Sequence, residues 1–224
     1  MDDKQKRKLV RWCDARLKKE YGDKTPEGNP DPLDTLILTV LSQNTNDVNR
    51  DRAYKALRDE LPSWEEVLHA KPAKVEKLIR PGGLAKQKSA RIKAMLAEIK
   101  KREGKLDLTR VCAMPVEQGL PYLCSFNGVG EKTAAVVLLF ACGKPVFPVD
   151  THVLRLSRRT GLVPENTDAT RAHRMMGELV EPSAYYRFHL NLIKHGRRIC
   201  RARKPQCPDC CLKLKCTSAF GFET

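Results

Sequence analysis

Apolar residues recur along this chain at helical spacing, and nowhere in the strict alternation of a strand bounded by hairpin turns, which confines the chain to a helical architecture. Leu33, Leu36, Ile37, Val40 and Leu41 make the clearest stripe, with Asp31 as N-cap and Pro32 at the first helical position. Ser63-Trp64-Glu65-Glu66 reads as a capping box, and Pro72 opens a helix that Pro81-Gly82-Gly83 ends. Over residues 86–102, Ile92, Met95, Leu96 and Ile99 form one stripe, and Gly104 follows its end. Lys86, Lys88, Arg91 and Lys93 decorate the start of that segment, either as phosphate contacts or as an ordinary solvated face. Residues 144–149 carry too much proline for a helix and read as an extended connector. Asp150 then caps a helix over 151–160 that Gly161 stops, and further helices are expected over 168–180 and 184–199. No linker or internal repeat stands out, so the fold class is all-α.

A length of 224 residues suits one large domain or two small ones sharing a core, and leaves no need for stabilising disulfides. The longest apolar run, 134–142, falls far short of the roughly 20 residues a membrane span needs. Met1 to Lys8 mixes acids with bases and leads into no apolar stretch, so the expected location is the cytoplasm, with nucleoid association in a bacterium or archaeon. Forty-two Lys and Arg against 27 Asp and Glu give a net charge of +15, which points to a polyanionic partner; neither a basic amphipathic helix nor a lipidation signal suggests a membrane surface instead.

The chemistry-bearing residues begin at a turn between two helices. Within 115–140 an apolar helix runs into Phe126-Asn127-Gly128-Val129-Gly130 and then into a second helix containing Lys132 and Thr133, a helix-hairpin-helix pattern. Gly128 and Gly130 permit positive φ and close approach of backbone N–H groups to a ligand, and the next helix start adds its positive dipole end, so a phosphate fits there. A bare Gly-x-Gly also serves simply as a tight turn. Lys132, in the first turn after it, has the setting of a nucleophilic amine or of a phosphate contact. An amine attacking C1′ of a nucleotide displaces the base, and the Schiff base that follows permits β-elimination of the 3′ phosphate. That chemistry needs a carboxylate to take a proton or stabilise the cationic sugar; Asp150 is the candidate, with a plain N-cap as its other reading.

Five of the nine cysteines fall between Cys200 and Cys216. Cys13, Cys112, Cys124 and Cys142 sit among apolar residues and read as small buried hydrophobes. Cys200, Cys207, Cys210 and Cys216, spaced C-x6-C-x2-C-x5-C and surrounded by Arg197, Arg198, Arg201, Arg203 and Lys204, imply a metal site. Four thiolates suit zinc or an iron–sulfur cluster. Cys211 is a bystander or an alternative ligand.

The stretch from Leu123 to Leu139, Val149-Asp150-Thr151-His152 and the cysteine spacing together resemble the endonuclease III family of helix-hairpin-helix DNA glycosylases. The resemblance covers about 32–217. It implies a 4Fe-4S cluster on Cys200, Cys207, Cys210 and Cys216, Lys132 as nucleophile, Asp150 as the essential acid, and His152 beside the flipped nucleotide and the DNA backbone. Leu41-Ser42-Gln43-Asn44-Thr45-Asn46-Asp47 resembles the family's loop that fills the gap left by an extruded base; Asn44 stands where the family usually has Gln, so either Gln43 or Asn44 is the plug. Gly83-Leu84 resembles a second wedge loop, with a core contact as the other reading of Leu84. Asn127 departs from the more usual proline before Gly-Val-Gly, which removes only stiffness.

The implied architecture is a six-helix domain over 34–144 and a discontinuous helical domain over 1–33 and 145–224 carrying the cluster loop, with a DNA-binding cleft between them. The implied activity is that of a monomeric base-excision repair glycosylase and abasic-site lyase removing oxidised pyrimidines from double-stranded DNA. Two readings compete. Monofunctional relatives acting on adenine or mismatched thymine commonly lack the lysine matching Lys132, and the adenine enzymes carry Glu where Val40 stands. A non-catalytic DNA-binding module leaves the combination of Lys132 and Asp150 unexplained.

Overall fold

A computed structural model describes residues 1–26, 28, 30–219 and 221, and among them it contains helices and no strand. The chain divides into two compact units, Met1–Gly28 with Pro145–Thr224 and Asn29–Lys144. Helix α1 (Asp3–Tyr21) belongs to the first unit; α2 (Pro32–Leu41), α3 (Asp47–Glu60), α4 (Trp64–His69), α5 (Pro72–Ile79), α6 (Ala85–Glu103), α7 (Arg110–Ala113), α8 (Val116–Cys124) and α9 (Glu131–Phe140) form the second. The chain then returns to the first unit with α10 (Thr151–Arg159), α11 (Ala169–Leu179) and α12 (Tyr185–Arg198). Among the described residues no helix is long and apolar enough to cross a membrane.

In the 29–144 unit the core is built on α2 and α9. Asp31 caps α2 through Asp34 N and Pro32 occupies its first turn, as the sequence leads one to expect. Leu33, Leu36, Ile37, Val40 and Leu41 are buried against α9, whose Ala134, Ala135, Val137 and Leu138 are fully buried in turn. Helix α9 is apolar on nearly every side because α8 covers it as well. Gly119 allows that approach: a Cβ there would stand 3.3 Å from Leu138 Cδ2. Ser63 and Glu66 make the expected capping box of α4.

Two expectations are corrected in this unit. Lys88 and Lys93 do not belong to a solvated or phosphate-facing surface. Lys88 is 1% exposed, and Lys93 donates to the carbonyls of Val67, Leu68 and Ala70, closing the carboxyl end of α4. Both lie on the side of α6 turned toward neighbouring elements, where an ammonium finds oxygens that an apolar side chain would leave unpaired. Cys112 and Cys142 are not separate buried hydrophobes either. They form a disulfide with Cα atoms 4.8 Å apart, joining the end of α7 to the residues after α9 across 30 positions of sequence. Cys13 is buried, as expected, and Cys124 half-buried.

In the other unit α12 packs on α1 and α10. Arg187 on α12 bonds Asp14 of α1 at 2.6 Å and Asp23 at 3.0 Å. Gly196 lets α10 come close to α12, since a Cβ there would meet His152 Cβ at 2.9 Å. The extended connector before α10 is held by two buried histidines: His189 Nδ1 lies 2.9 Å from Pro148 O and His173 Nδ1 3.1 Å from Phe147 O. Each Nδ1 is therefore the protonated nitrogen, and His173 Nε2 accepts from Val149 N.

The bracket formed by Lys93 has a measurable consequence. Lys93→Met should lower the unfolding free energy by about 1–2 kcal/mol, because the α4 carbonyls lose a charged donor, whereas Lys86→Met on the exposed face should change it by less than about 0.5 kcal/mol. Urea unfolding followed by circular dichroism checks both; equal effects would contradict the assignment.

Candidate active site

The turn between α8 and α9 positions the lysine. Phe126 and Val129 are buried at 2% and 6% exposure, anchoring the turn from within. Gly128 takes φ +83°, as a residue without Cβ does readily. Gly130 does not need that freedom: at φ −92° and ψ 173° it is the N-cap of α9, and it offers no side chain to the first-turn N–H groups. Those groups are left for another partner. Lys132 is the second residue of α9 and half-buried.

Three segments meet near this turn within the same unit. Arg91 of α6 donates through Nη1 to Gln43 Oε1 at 2.8 Å, and its side chain lies over the hairpin, where a Cβ on Gly128 would be 2.3 Å from Arg91 Cδ. Gln43 is thus tied back toward α6, while Asn44 beside it is exposed, in the left-handed region at φ 52°. Leu84 is also left-handed, at φ 49°, and 52% exposed, so it is no core contact. Lys77, Arg80 and Lys86 line an open groove next to Leu84.

In the 1–28 and 145–224 unit, Asp150 is the N-cap of α10, its Oδ1 accepting from Val153 N at 2.7 Å. His152 is half-buried, and burial holds its imidazole below the usual histidine range, with Asp150 opposing that shift. Arg155 Nη2 lies 3.0 Å from His152 Nδ1 and donates to the carbonyls of Gly196 and Cys200. One guanidinium thereby joins the histidine to the first cysteine of the terminal loop.

Cys200, Cys207, Cys210 and Cys216 line one small cavity together with Arg159, Ile199 and Lys213; Cys211 does not line it. Polar nitrogens face the sulfurs: Arg159 Nη1 lies 3.3 Å from Cys200 Sγ, Leu212 N 3.4 Å from Cys210 Sγ, and His195 Nε2 3.3 Å from Cys210 Sγ. Tyr21 Oη lies 2.9 Å from His195 Nδ1, so the ring is held through both of its nitrogens. Burial pushes the Cys210 thiol up to about 12, a cost that a bound cationic centre would offset. Among the described residues no three of His, Cys, Asp and Glu converge tightly enough for a single ion. Four thiols lining one cavity are soft ligands of the kind that hold zinc or an iron–sulfur cluster.

Sequence reasoning missed Lys88, Arg91, Arg155, His173 and His189 as parts of these arrangements. Their partners lie 6 to 48 residues away, apart from the local bond between Arg155 and His152, and no local pattern announces them.

Residues 37–182 match the HhH-GPD superfamily of base excision DNA repair proteins. The chain is 34% identical over 190 residues to endonuclease III of Thermotoga maritima, covering 83% of each chain. It has the same identity over 190 residues to a putative DNA glycosylase of Arabidopsis thaliana, of whose length it spans 64%. The enzyme in a non-covalent endonuclease III–DNA complex superimposes with a TM-score of 0.82 at 26% identity, over 98% of this chain and 97% of that one. With the hairpin, the capped Asp150 and the four-cysteine loop in place, the chain belongs to the HhH-GPD superfamily and, within it, to the endonuclease III family.

Proposed function

We propose that this protein is a bifunctional DNA glycosylase and abasic-site lyase that removes oxidised pyrimidines from duplex DNA. The observation that carries the reading is the position of Lys132, half-buried in the first turn of α9 directly after the hairpin, where the amide-lined helix start receives the phosphate and the amine meets the sugar. The neutral Lys132 amine attacks C1′. The glycosidic bond breaks, the base leaves with the electron pair, and the opened sugar is held as a Schiff base. Loss of a C2′ proton then breaks the C3′–O bond to the 3′ phosphate, and water releases the lysine. Asp150 supplies the carboxylate that stabilises the cationic sugar and accepts a proton. His152 contacts the DNA backbone beside the extruded nucleotide.

Base extrusion leaves a gap in the duplex. Asn44 fills it, since its side chain is exposed while Gln43 is tied to Arg91, and Leu84 enters as the second wedge. Gly128 and Gly130 present the hairpin backbone to phosphate. The net charge of +15 supports duplex DNA as the partner. Against a monofunctional adenine enzyme stand Lys132 itself and Val40, which is fully buried in the α2 core where those relatives carry Glu. Cys200, Cys207, Cys210 and Cys216 would hold a 4Fe-4S cluster, whose contribution is to order the basic loop 200–216 against DNA.

Borohydride added during reaction with lesion-bearing duplexes should cross-link the wild type to DNA, and Lys132→Ala should abolish the cross-link; persistent trapping would move the nucleophile elsewhere. Asp150→Asn keeps a good N-cap and so isolates the chemistry. It should slow single-turnover base removal by about 100-fold or more, and an unchanged rate would remove Asp150 from the mechanism. Purified protein should be brown and contain iron, with the colour lost in Cys207→Ser; a colourless, zinc-loaded preparation would contradict the cofactor assignment.

A further inference from the structure

Lys88 is the most deeply buried cation among the described residues, and the lysine chemistry of Lys132 does not use it. Its side chain is 1% exposed. Its ammonium donates to Leu41 O at 2.7 Å and to Gly82 O at 2.8 Å. These two carbonyls end different elements: Leu41 is the last residue of α2, and Gly82 closes the turn after α5. Each is followed within three residues by a non-glycine residue in the left-handed region, Asn44 at φ 52° and Leu84 at φ 49°. Among the described residues only Lys204 shares that conformation without being glycine. Both side chains are exposed.

A buried lysine can be a nucleophile, and burial does lower this one's pKa, with Arg91 adding to the effect. Geometry rules that role out. No substrate reaches a group so enclosed, and two of its three N–H bonds are spent on backbone oxygens. Two carbonyls bonded to one ammonium are instead held at a fixed separation, and with them the loops they end. Local strain of the kind seen at Asn44 and Leu84 persists only where the surroundings over-determine it. The two elements also lie close at the junction: a Cβ on Gly82 would be 3.3 Å from Ala53 Cβ and 3.8 Å from Leu41 O.

We propose that Lys88 is a positioning residue that locks the Asn44 and Leu84 loops into one rigid unit, so that the two side chains enter the duplex together. This rests on the reading of both loops as DNA wedges. Arg91, one turn further along α6, extends the bracket by fastening Gln43 beside the hairpin. Concerted entry matters because a gap filled from one side only lets the extruded nucleotide fall back.

The test compares full-length protein on duplex and single-stranded oligonucleotides carrying one abasic site, since a single strand exposes its sugar without leaving a gap. Lys88→Met, linear like lysine but one atom shorter and unable to donate, should cut the duplex about ten-fold more slowly or worse in single turnover while cutting the single strand within about two-fold of wild type. Duplex cutting within about two-fold of wild type would overturn the proposal. Should Lys88→Met lose both activities, Asn44→Ala, Leu84→Ala and their combination decide with Lys88 intact. A locked pair predicts a double variant within about two-fold of the worse single variant on duplex, and losses that multiply would overturn it. Wild-type protein that cuts neither substrate would instead refute the lyase reading, and this proposal with it.

Discussion

A cation taken out of water must be met by oxygen, and the functional loops of this chain are fastened by that requirement. Lys88 joins the carbonyls of Leu41 and Gly82, and Lys93 closes α4 through Val67, Leu68 and Ala70. Arg155 ties Gly196 and Cys200 to α10, and Arg159 holds Arg201 and Ala202. None of these bonds is an ion pair. Backbone carbonyls carry no net charge to cancel, so each bracket leaves its positive charge in the molecule. These brackets, unlike the pairs of Arg187 with Asp14 and Asp23, therefore hold the chain without subtracting from the positive field that a polyanionic partner meets.

The same economy organises the proposed site. In one unit the hairpin is anchored from within by Phe126 and Val129, which leaves Gly128 and the uncapped start of α9 for phosphate and sets Lys132 one turn away. In the other, His173 and His189 hold the connector by its carbonyls, and Asp150 caps the helix that begins there. The capping bond uses Oδ1 of the carboxylate. Capping and the proposed chemistry are compatible uses of one side chain, and so are helix initiation and the proposed attack by Lys132.

Much of this was legible in the residues. Periodicity located the helices because each buries one face, and Asp31, Ser63 and Asp150 marked their starts because capping is a contact between residues three apart in sequence. The Gly-x-Gly turn and the cysteine spacing were local patterns too. What escaped were contacts set only by the tertiary fold. Lys88 and Lys93 look like any surface lysine until the ends of α2 and α4 are brought to them, and Cys112 meets Cys142 only when α7 and α9 pack. Whether Gln43 or Asn44 faces outward depended on Arg91, 48 residues from Gln43. The exposed amide, Asn44, stands at φ 52° directly after the tied one.

Everything proposed for this site rests on the amine at the start of α9 taking the sugar. The most direct measurement of that step is peptide mapping by tandem mass spectrometry of the borohydride-reduced complex formed with an abasic-site duplex. The deoxyribose remnant should sit on Lys132 Nζ as the principal adduct. A remnant on the amino terminus or on any other lysine would contradict the account.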